Sequence, residues 1–333
     1  NPLAAAPVWT RFLTATNVFG RYLGLLLWPM SLSADYSYNQ IPLVTSIISW
    51  SAAMPLTLLL LLVAGLLISA RRYPVLFFSG LVFLVSFILT SNWITPIGTI
   101  MAERLMYFPA LGFNCAVAFF LCVGLSMPRW KTVSTVTAVV LLAGYGFRTI
   151  DRNPDWRDHY RLFRSAVASS PDSYLAQSNY AAVLLNEKND LRGAILHARQ
   201  ALDIVPEDPA AHFTLAQASR RLGDLPGAAE AFRAVVRLAP RTTGGADALR
   251  AQAEVEEAMG SFPLARASYE KLHEWRPHDV AAGLALSRIY LRMGERDKAK
   301  EILEQCQKQA PDSPAVKQAL RELAGAAGPV KIP

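Results

Sequence analysis

Two short segments carry almost all of the polar chemistry in the first half of this 333-residue chain. Residues 31–42 read SLSADYSYNQIP, and residues 92–113 read NWITPIGTIMAERLMYFPALGF. Asp35 is the sole charge between Arg21 and Arg71, and Glu103 and Arg104 are the sole charges between Arg72 and Arg129. A charge kept at the edge of an otherwise apolar domain is a functional candidate, because placing it near lipid is costly. Arg104 could hold a phosphate through its fixed fork of donors. Glu103 could orient that arginine or a sugar hydroxyl, and Asp35 could position a hydroxyl of a donor or acceptor. Tyr36, Tyr38 and Tyr107 offer flat faces and hydroxyls suited to a headgroup or a sugar. The plainer account of the same residues is a Glu–Arg pair and an Asp that lock boundary helices together.

Other chemistries find no support. The chain has no G-x-S-x-G elbow, Walker loop or Rossmann fingerprint. His159, His197, His212, His273 and His278 are scattered without metal-ligand pairing, and Cys115, Cys122 and Cys306 imply neither a metal site nor a disulfide framework. The expectation for metal is none. A net charge of +7 raises the question of nucleic acid. In the first half, however, the basic residues sit at the ends of apolar runs, where membrane topology accounts for them.

The elements that must position these residues are of two kinds. Residues 1–155 carry nine Lys/Arg and four Asp/Glu, against 24 and 22 in the remainder, so a lipid-compatible half precedes a charged helical one. Apolar runs at 47–69, 74–91, 107–127 and 132–147 predict four spans, the last marginal against the roughly 20 residues a span needs. Arg71-Arg72 and Arg129 with Lys131 lie in the short loops between paired spans and predict that those loops face the cytoplasm. The two polar segments and everything after Phe147 then face the other side, with Arg148 and Arg152 opposing the assignment. Residues 18–32 form a weaker stretch, interrupted by Arg21, that reads equally as a span or as a re-entrant or interfacial helix.

In the second half, Pro171, Pro206, Pro240, Pro277 and Pro311 recur at spacings of 35, 34, 37 and 34. A period of 34 is the tetratricopeptide signature. Ala194, Ala228, Ala265 and Ala299 each lie twelve residues before a proline, and Phe232 and Tyr269 hold the next large position. Repeats are predicted at 175–206, 209–240, 246–277 and 280–311, with a helix at 156–169 before them and a cap at 314–324. The three extra residues are expected in a lengthened turn at Thr242–Gly245. The concave face of such a stack is a surface for peptides or protein segments.

The motif YL-x3-L-x-P-x-x-LS-x-DYS, followed by AER-x-x-YFP and then by repeats, resembles the transmembrane and tetratricopeptide-repeat-containing O-mannosyltransferase family over nearly the whole chain. The resemblance implies an all-α protein: the C-terminal part of a GT-C-type membrane fold (1–150), then a repeat solenoid (156–324). It implies transfer of mannose from a polyprenyl-phosphate carrier to Ser or Thr of an extracytoplasmic protein, with the repeats presenting the acceptor. Asp35, Tyr36, Glu103, Arg104 and Tyr107 occupy matched positions and become candidates for binding lipid phosphate or sugar. The general base is expected upstream of Asn1, so the chain reads as a C-terminal fragment, inactive by itself. No cofactor is implied beyond the lipid-linked donor, and the Ala-rich composition points to a bacterial inner membrane. The alternative is a membrane-anchored repeat scaffold for assembling proteins of the cell envelope.

Overall fold

The computed structural model describes residues 1–325, and every regular element among them is helical. The chain divides into two compact units, Asn1–Val183 and Leu184–Pro333. The first contains α1 (Val8–Leu27), α2 (Trp50–Arg72), α3 (Pro74–Thr90), α4 (Tyr107–Ser126), α5 (Lys131–Arg152), α6 (His159–Ser169) and α7 (Tyr174–Val183). The second contains α8 (Leu191–Ile204), α9 (Pro209–Leu222), α10 (Leu225–Leu238), α11 (Thr243–Ala258), α12 (Phe262–Trp275), α13 (Val280–Arg292), α14 (Arg296–Gln309) and α15 (Pro314–Gly325).

Three helical stretches of the first unit, Trp50–Arg72, Glu103–Ser126 and Lys131–Trp156, are long and apolar enough to cross a membrane. Helix α3, at 17 residues, is the shorter apolar one. Small residues bring these helices together, as lipid-compatible packing requires. A Cβ on Gly112 of α4 would lie 2.4 Å from the Ser79 carbonyl oxygen of α3, and one on Gly80 would lie 2.9 Å from a Leu66 methyl of α2. Helix α5 runs beyond the apolar stretch because its last turn carries i,i+3 ion pairs, Arg148–Asp151 at 2.5 Å and Arg152–Asp155 at 2.6 Å. Pro154 lacks the N–H needed to continue it.

Helix α1 is built differently. Every residue from Leu13 to Phe19 is buried, so the helix has no single apolar face there. Loops enclose it: Thr14 Oγ1 accepts the Val44 N–H at 2.9 Å, Thr16 Oγ1 accepts the Trp93 indole N–H at 3.2 Å, and Tyr22 both donates to and accepts from the Ala102 backbone. Phe19, Phe83, Phe87 and Trp93 pack ring against ring beneath it. Before α1, Asn1 binds Asn92 and the Ile97 carbonyl. Beyond its other end, Tyr145 donates to the Leu26 carbonyl and Arg148 to that of Pro29. Both ends therefore meet the end of the helical set where α3 and α5 finish and α4 begins. Helix α1 lies across that end and is not one more member of the set. Helix α1 is not among the described stretches long and apolar enough to cross a membrane.

In the second unit, the repeat positions hold the packing that the spacing predicts. Ala194, Ala228, Ala265 and Ala299 are fully buried, and Phe232, Tyr269 and Leu303 fill the adjacent large positions. Asp190, Asp208, Asp224 and Asp279 each accept N–H groups in the first turn of the helix that follows, satisfying donors with no intrahelical partner. Gly223 ends α9 at φ +85°, a left-handed position that favours glycine. The three extra residues do not lengthen the turn. Thr242 caps α11 through the Gly245 N–H, and the surplus lengthens that helix to 16 residues, against 14 in α9 and 13 in α13. Helix α11 also buries a carboxylate: Glu256 is 1% exposed and accepts from Ser268 at 2.7 Å and Gln252 at 2.9 Å.

Candidate functional site

Glu103 opens the short turn Glu103–Met106 that leads into α4. Its Oε1 accepts the Ser33 N–H at 2.6 Å and the Tyr36 hydroxyl at 2.7 Å. The two polar segments singled out by sequence therefore meet at this carboxylate. Burial and the neighbouring Glu103 charge push the Tyr36 phenol well above its usual range, so it stays protonated and donates.

Arg104, the next residue, does not join them. Its side chain is exposed and makes no hydrogen bond or ion pair among the described residues. The turn directs Glu103 inward and its neighbour outward, so the Glu–Arg pair of the plainer sequence account does not form. Tyr107, at 81% exposure, also stands apart and packs edge-on against Phe108.

Asp35 has a positioning contact set. Its carboxylate accepts the Ser37 N–H and hydroxyl, both at 2.9 Å, and the Ser173 hydroxyl at 2.5 Å. Beside it the backbone pairs in both directions. Asn39 donates to Asp172 and Tyr174 donates to Tyr38, while Gln40 accepts the Asp172 N–H. The loop after α1 is thereby fastened at one point to Glu103 and at another to the turn that starts α7.

Two arginines that were anomalies of topology complete the site. Arg148 donates Nε to the Pro29 carbonyl at 2.8 Å and Nη2 to the Met30 carbonyl at 2.7 Å, taking up acceptors just beyond the end of α1. Arg152 is 8% exposed; its Nη1 reaches Asp155 at 2.6 Å and Ser165 at 2.5 Å, and its Nη2 has no partner. Both line a cavity of 320 Å³ with Glu103, Leu32, Tyr145 and Trp156. A second, mostly apolar cavity of 310 Å³ shares Pro29, Tyr145 and Arg148 with the first and follows α5 past Gly144 to Val140. Sequence reasoning missed this pair. Its signal was two arginines just after the last apolar run, each with an aspartate three residues on.

In the second unit, an open cavity of 450 Å³ lies between α11 and α13, lined by Arg250, Glu254, Leu284, Ala285 and Arg288. Arg220 pairs with Glu254 at 2.9 Å, and Arg266 with Glu295 at 2.9 Å, linking successive helix pairs.

An apolar helical domain followed by a helical repeat stack defines a membrane-type repeat protein. The family described as "Protein O-mannosyl-transferase TMTC, DUF1736" matches residues 1–63, and "Tetratricopeptide repeat" families match 184–242 and 257–323. Human Protein O-mannosyl-transferase TMTC3 is 27% identical over 317 residues, covering 90% of this chain and 34% of that protein. Mouse Protein O-mannosyl-transferase TMTC1 is 33% identical over 223 residues, 63% of this chain and 23% of that protein. Among solved structures, YrrB, described as a TPR protein with an unusual peptide-binding site, matches with TM-score 0.43 and 15% identity, covering 60% of this chain and 97% of its own. The chain is a tetratricopeptide-repeat protein whose N-terminal membrane-type region is homologous to the TMTC O-mannosyltransferase family. It spans about a third of the length of the first of these relatives.

Proposed function

We propose that this chain is a membrane-anchored repeat scaffold that receives an extended polypeptide on the extracytoplasmic side. The observation that carries this reading is the open cavity between α11 and α13, where charged side chains (Arg250, Glu254, Arg288) alternate with Leu284 and Ala285. Such a surface suits a chain segment whose backbone and side chains both need partners. Basic residues Arg71, Arg72, Arg129 and Lys131 flank the opposite ends of the apolar helices and support a cytoplasmic position for those loops.

Homology favours a second reading in which the scaffold serves an enzyme. In a longer protein of GT-C type, the repeats present Ser or Thr residues to a mannose carried on polyprenyl phosphate. In that reading lipid phosphate leaves the anomeric carbon as the acceptor hydroxyl attacks it. A base takes the hydroxyl proton. In the same reading Glu103 holds a sugar hydroxyl, a role supported by its anchoring to Ser33 and Tyr36.

The test places a photo-crosslinking amino acid at Ala285 in the full chain, held in nanodiscs and offered a library of Ser/Thr-rich peptides. Capture at position 285, and none from a probe on lipid-facing Leu60, supports the scaffold; equal capture at both sites rejects it. Mannose transfer by the longer protein to the captured peptides, from a lipid-linked donor, decides between scaffold alone and scaffold within an enzyme.

A further inference from the structure

One junction between repeats lacks the side-chain partner that the next two possess. Arg199, Arg233 and Glu270 each stand seven residues before a repeat-closing proline, Pro206, Pro240 and Pro277. Ser219, Glu256 and Tyr290 share a second position, four residues before Gly223, Gly260 and Gly294, and the carbonyl of each accepts the N–H five residues on. At two successive junctions these positions meet: Arg233 lies 3.5 Å from Glu256, and Tyr290 donates to Glu270 at 2.8 Å. At the junction before them, a serine stands where a carboxylate would reach Arg199. Arg199 makes no hydrogen bond or ion pair among the described residues.

The place of the missing group is open. Arg199 and Ser219 line a cavity of 580 Å³ between α8, α9 and α10, whose apolar lining includes Leu215, Ala231 and Ala234. Other arginines of this unit are matched to carboxylates across helices, as in Arg220–Glu254, Arg250–Asp279 and Arg266–Glu295. In this cavity Arg237 and Glu230, like Arg199, have no such match among the described residues.

Charge narrows the occupant. Three arginines and two carboxylates, Asp224 and Glu230, line the cavity, and Arg233 is already held by Glu256. A near-balanced set suits neither a polyanion nor a bare phosphate, whose charge Glu230 would oppose. It suits a polypeptide that brings one carboxylate to Arg199, an aliphatic side chain to Leu215, and an N–H or ammonium to Glu230.

This cavity opens away from the one between α11 and α13. Counted from Gly260 and Gly223, Arg250 and Glu254 of that cavity correspond to Phe213 and Gln217 of α9, whereas this one takes His212, Leu215 and Ser219. At about 100° per residue the two sets lie on opposite sides of the helix.

We propose that the groove between α8 and α10 is a docking surface for an acidic and aliphatic segment of a partner protein, one carboxylate of which completes the pair that Ser219 leaves open. The assignment is independent of what the cavity between α11 and α13 receives.

The probe is a fluorescein-labelled Gly/Ser peptide with a central Leu-Glu-Lys, titrated into the full chain in nanodiscs and followed by anisotropy. It should bind, and the same peptide with Leu-Gln-Lys should bind about tenfold more weakly, the loss of one charge-assisted bond. Arg199→Gln, at an exposed position that leaves the fold intact, should cost the same factor. Ser219→Glu should also weaken binding, because it supplies the carboxylate from within as Glu256 does for Arg233. Arg288→Gln, in the other cavity, should leave affinity within about twofold. No binding of the Leu-Glu-Lys peptide overturns the proposal, as does unchanged affinity in Arg199→Gln. Loss of binding on Arg288→Gln alone moves the peptide to the other cavity and overturns this site without touching the scaffold reading. Equal competition by inorganic phosphate overturns the polypeptide assignment.

Discussion

Tyr36 donates its hydroxyl to Oε1 of Glu103 at 2.7 Å, across 67 residues of sequence, and the same oxygen accepts the Ser33 N–H. This contact joins the loop after α1 to the turn before α4. Replacing Tyr36 by Phe keeps the ring and removes the donor, at a cost of about 1.5–3 kcal/mol for a bond to a charged acceptor. The expected result is faster amide exchange in residues 31–40, with the α3–α4 hairpin unchanged. Identical exchange in the variant would show that the loop is held elsewhere.

Gly112 sets the distance between α3 and α4. A methyl group there cannot fit beside the Ser79 carbonyl without moving one helix. Gly112→Ala is expected to cost about 1–3 kcal/mol through overpacking, read as a lower melting temperature in detergent. Gly65→Ala is the matched control, since a Cβ on Gly65 meets nothing within 4 Å. Equal melting of the two variants would refute the close-packing account.

Glu256 is the most deeply buried charge among the described residues of the repeat half. Glu256→Ala strips partners from Ser268 and Gln252 and is expected to destabilise the second unit by about 2–3 kcal/mol. Glu256→Gln retains hydrogen-bonding capacity and should lose less. Chemical denaturation followed by tryptophan fluorescence checks the order, and a larger loss for Gln than for Ala would contradict it.

His197 in α8 gives the repeats a pH response. Burial lowers its pKa in the folded state, so between that value and the ordinary 6.5 the unfolded chain binds more protons. Its contribution is complete above 6.5 and is lost as pH falls through the folded value. Between pH 7.5 and 5 the melting temperature of wild type should fall more than that of His197→Gln. Parallel declines would assign the pH dependence to other groups.

The repeats were legible because their packing is local. An Ala twelve residues before a proline meets the neighbouring helix of its own repeat, so spacing alone identifies it. The site was only half legible. Asp35, Tyr36 and Glu103 stood out as polar residues in apolar surroundings, and Tyr36 and Glu103 meet. Arg104 carried the same signal yet faces outward, because the choice between adjacent charges is made by one turn of backbone that composition does not encode. Arg148 reaches carbonyl groups 118 and 119 residues away, and no local pattern announces such a contact. The setting of α1 was hidden for a similar reason, since the loops that cover it come from two other parts of the chain.

That covering gives α1 a schedule. Thr14, Thr16 and Tyr22 find their partners 30, 77 and 80 residues later. On the ribosome the segment therefore emerges long before its enclosure exists, carrying hydroxyls and aromatic rings that neither water nor hydrocarbon suits. The α2–α3 hairpin is made before the last of these partners, Ala102, which arrives just ahead of Glu103. The polar cavity beside Glu103 is completed later still, because Arg148 and Arg152 follow α4 in the chain.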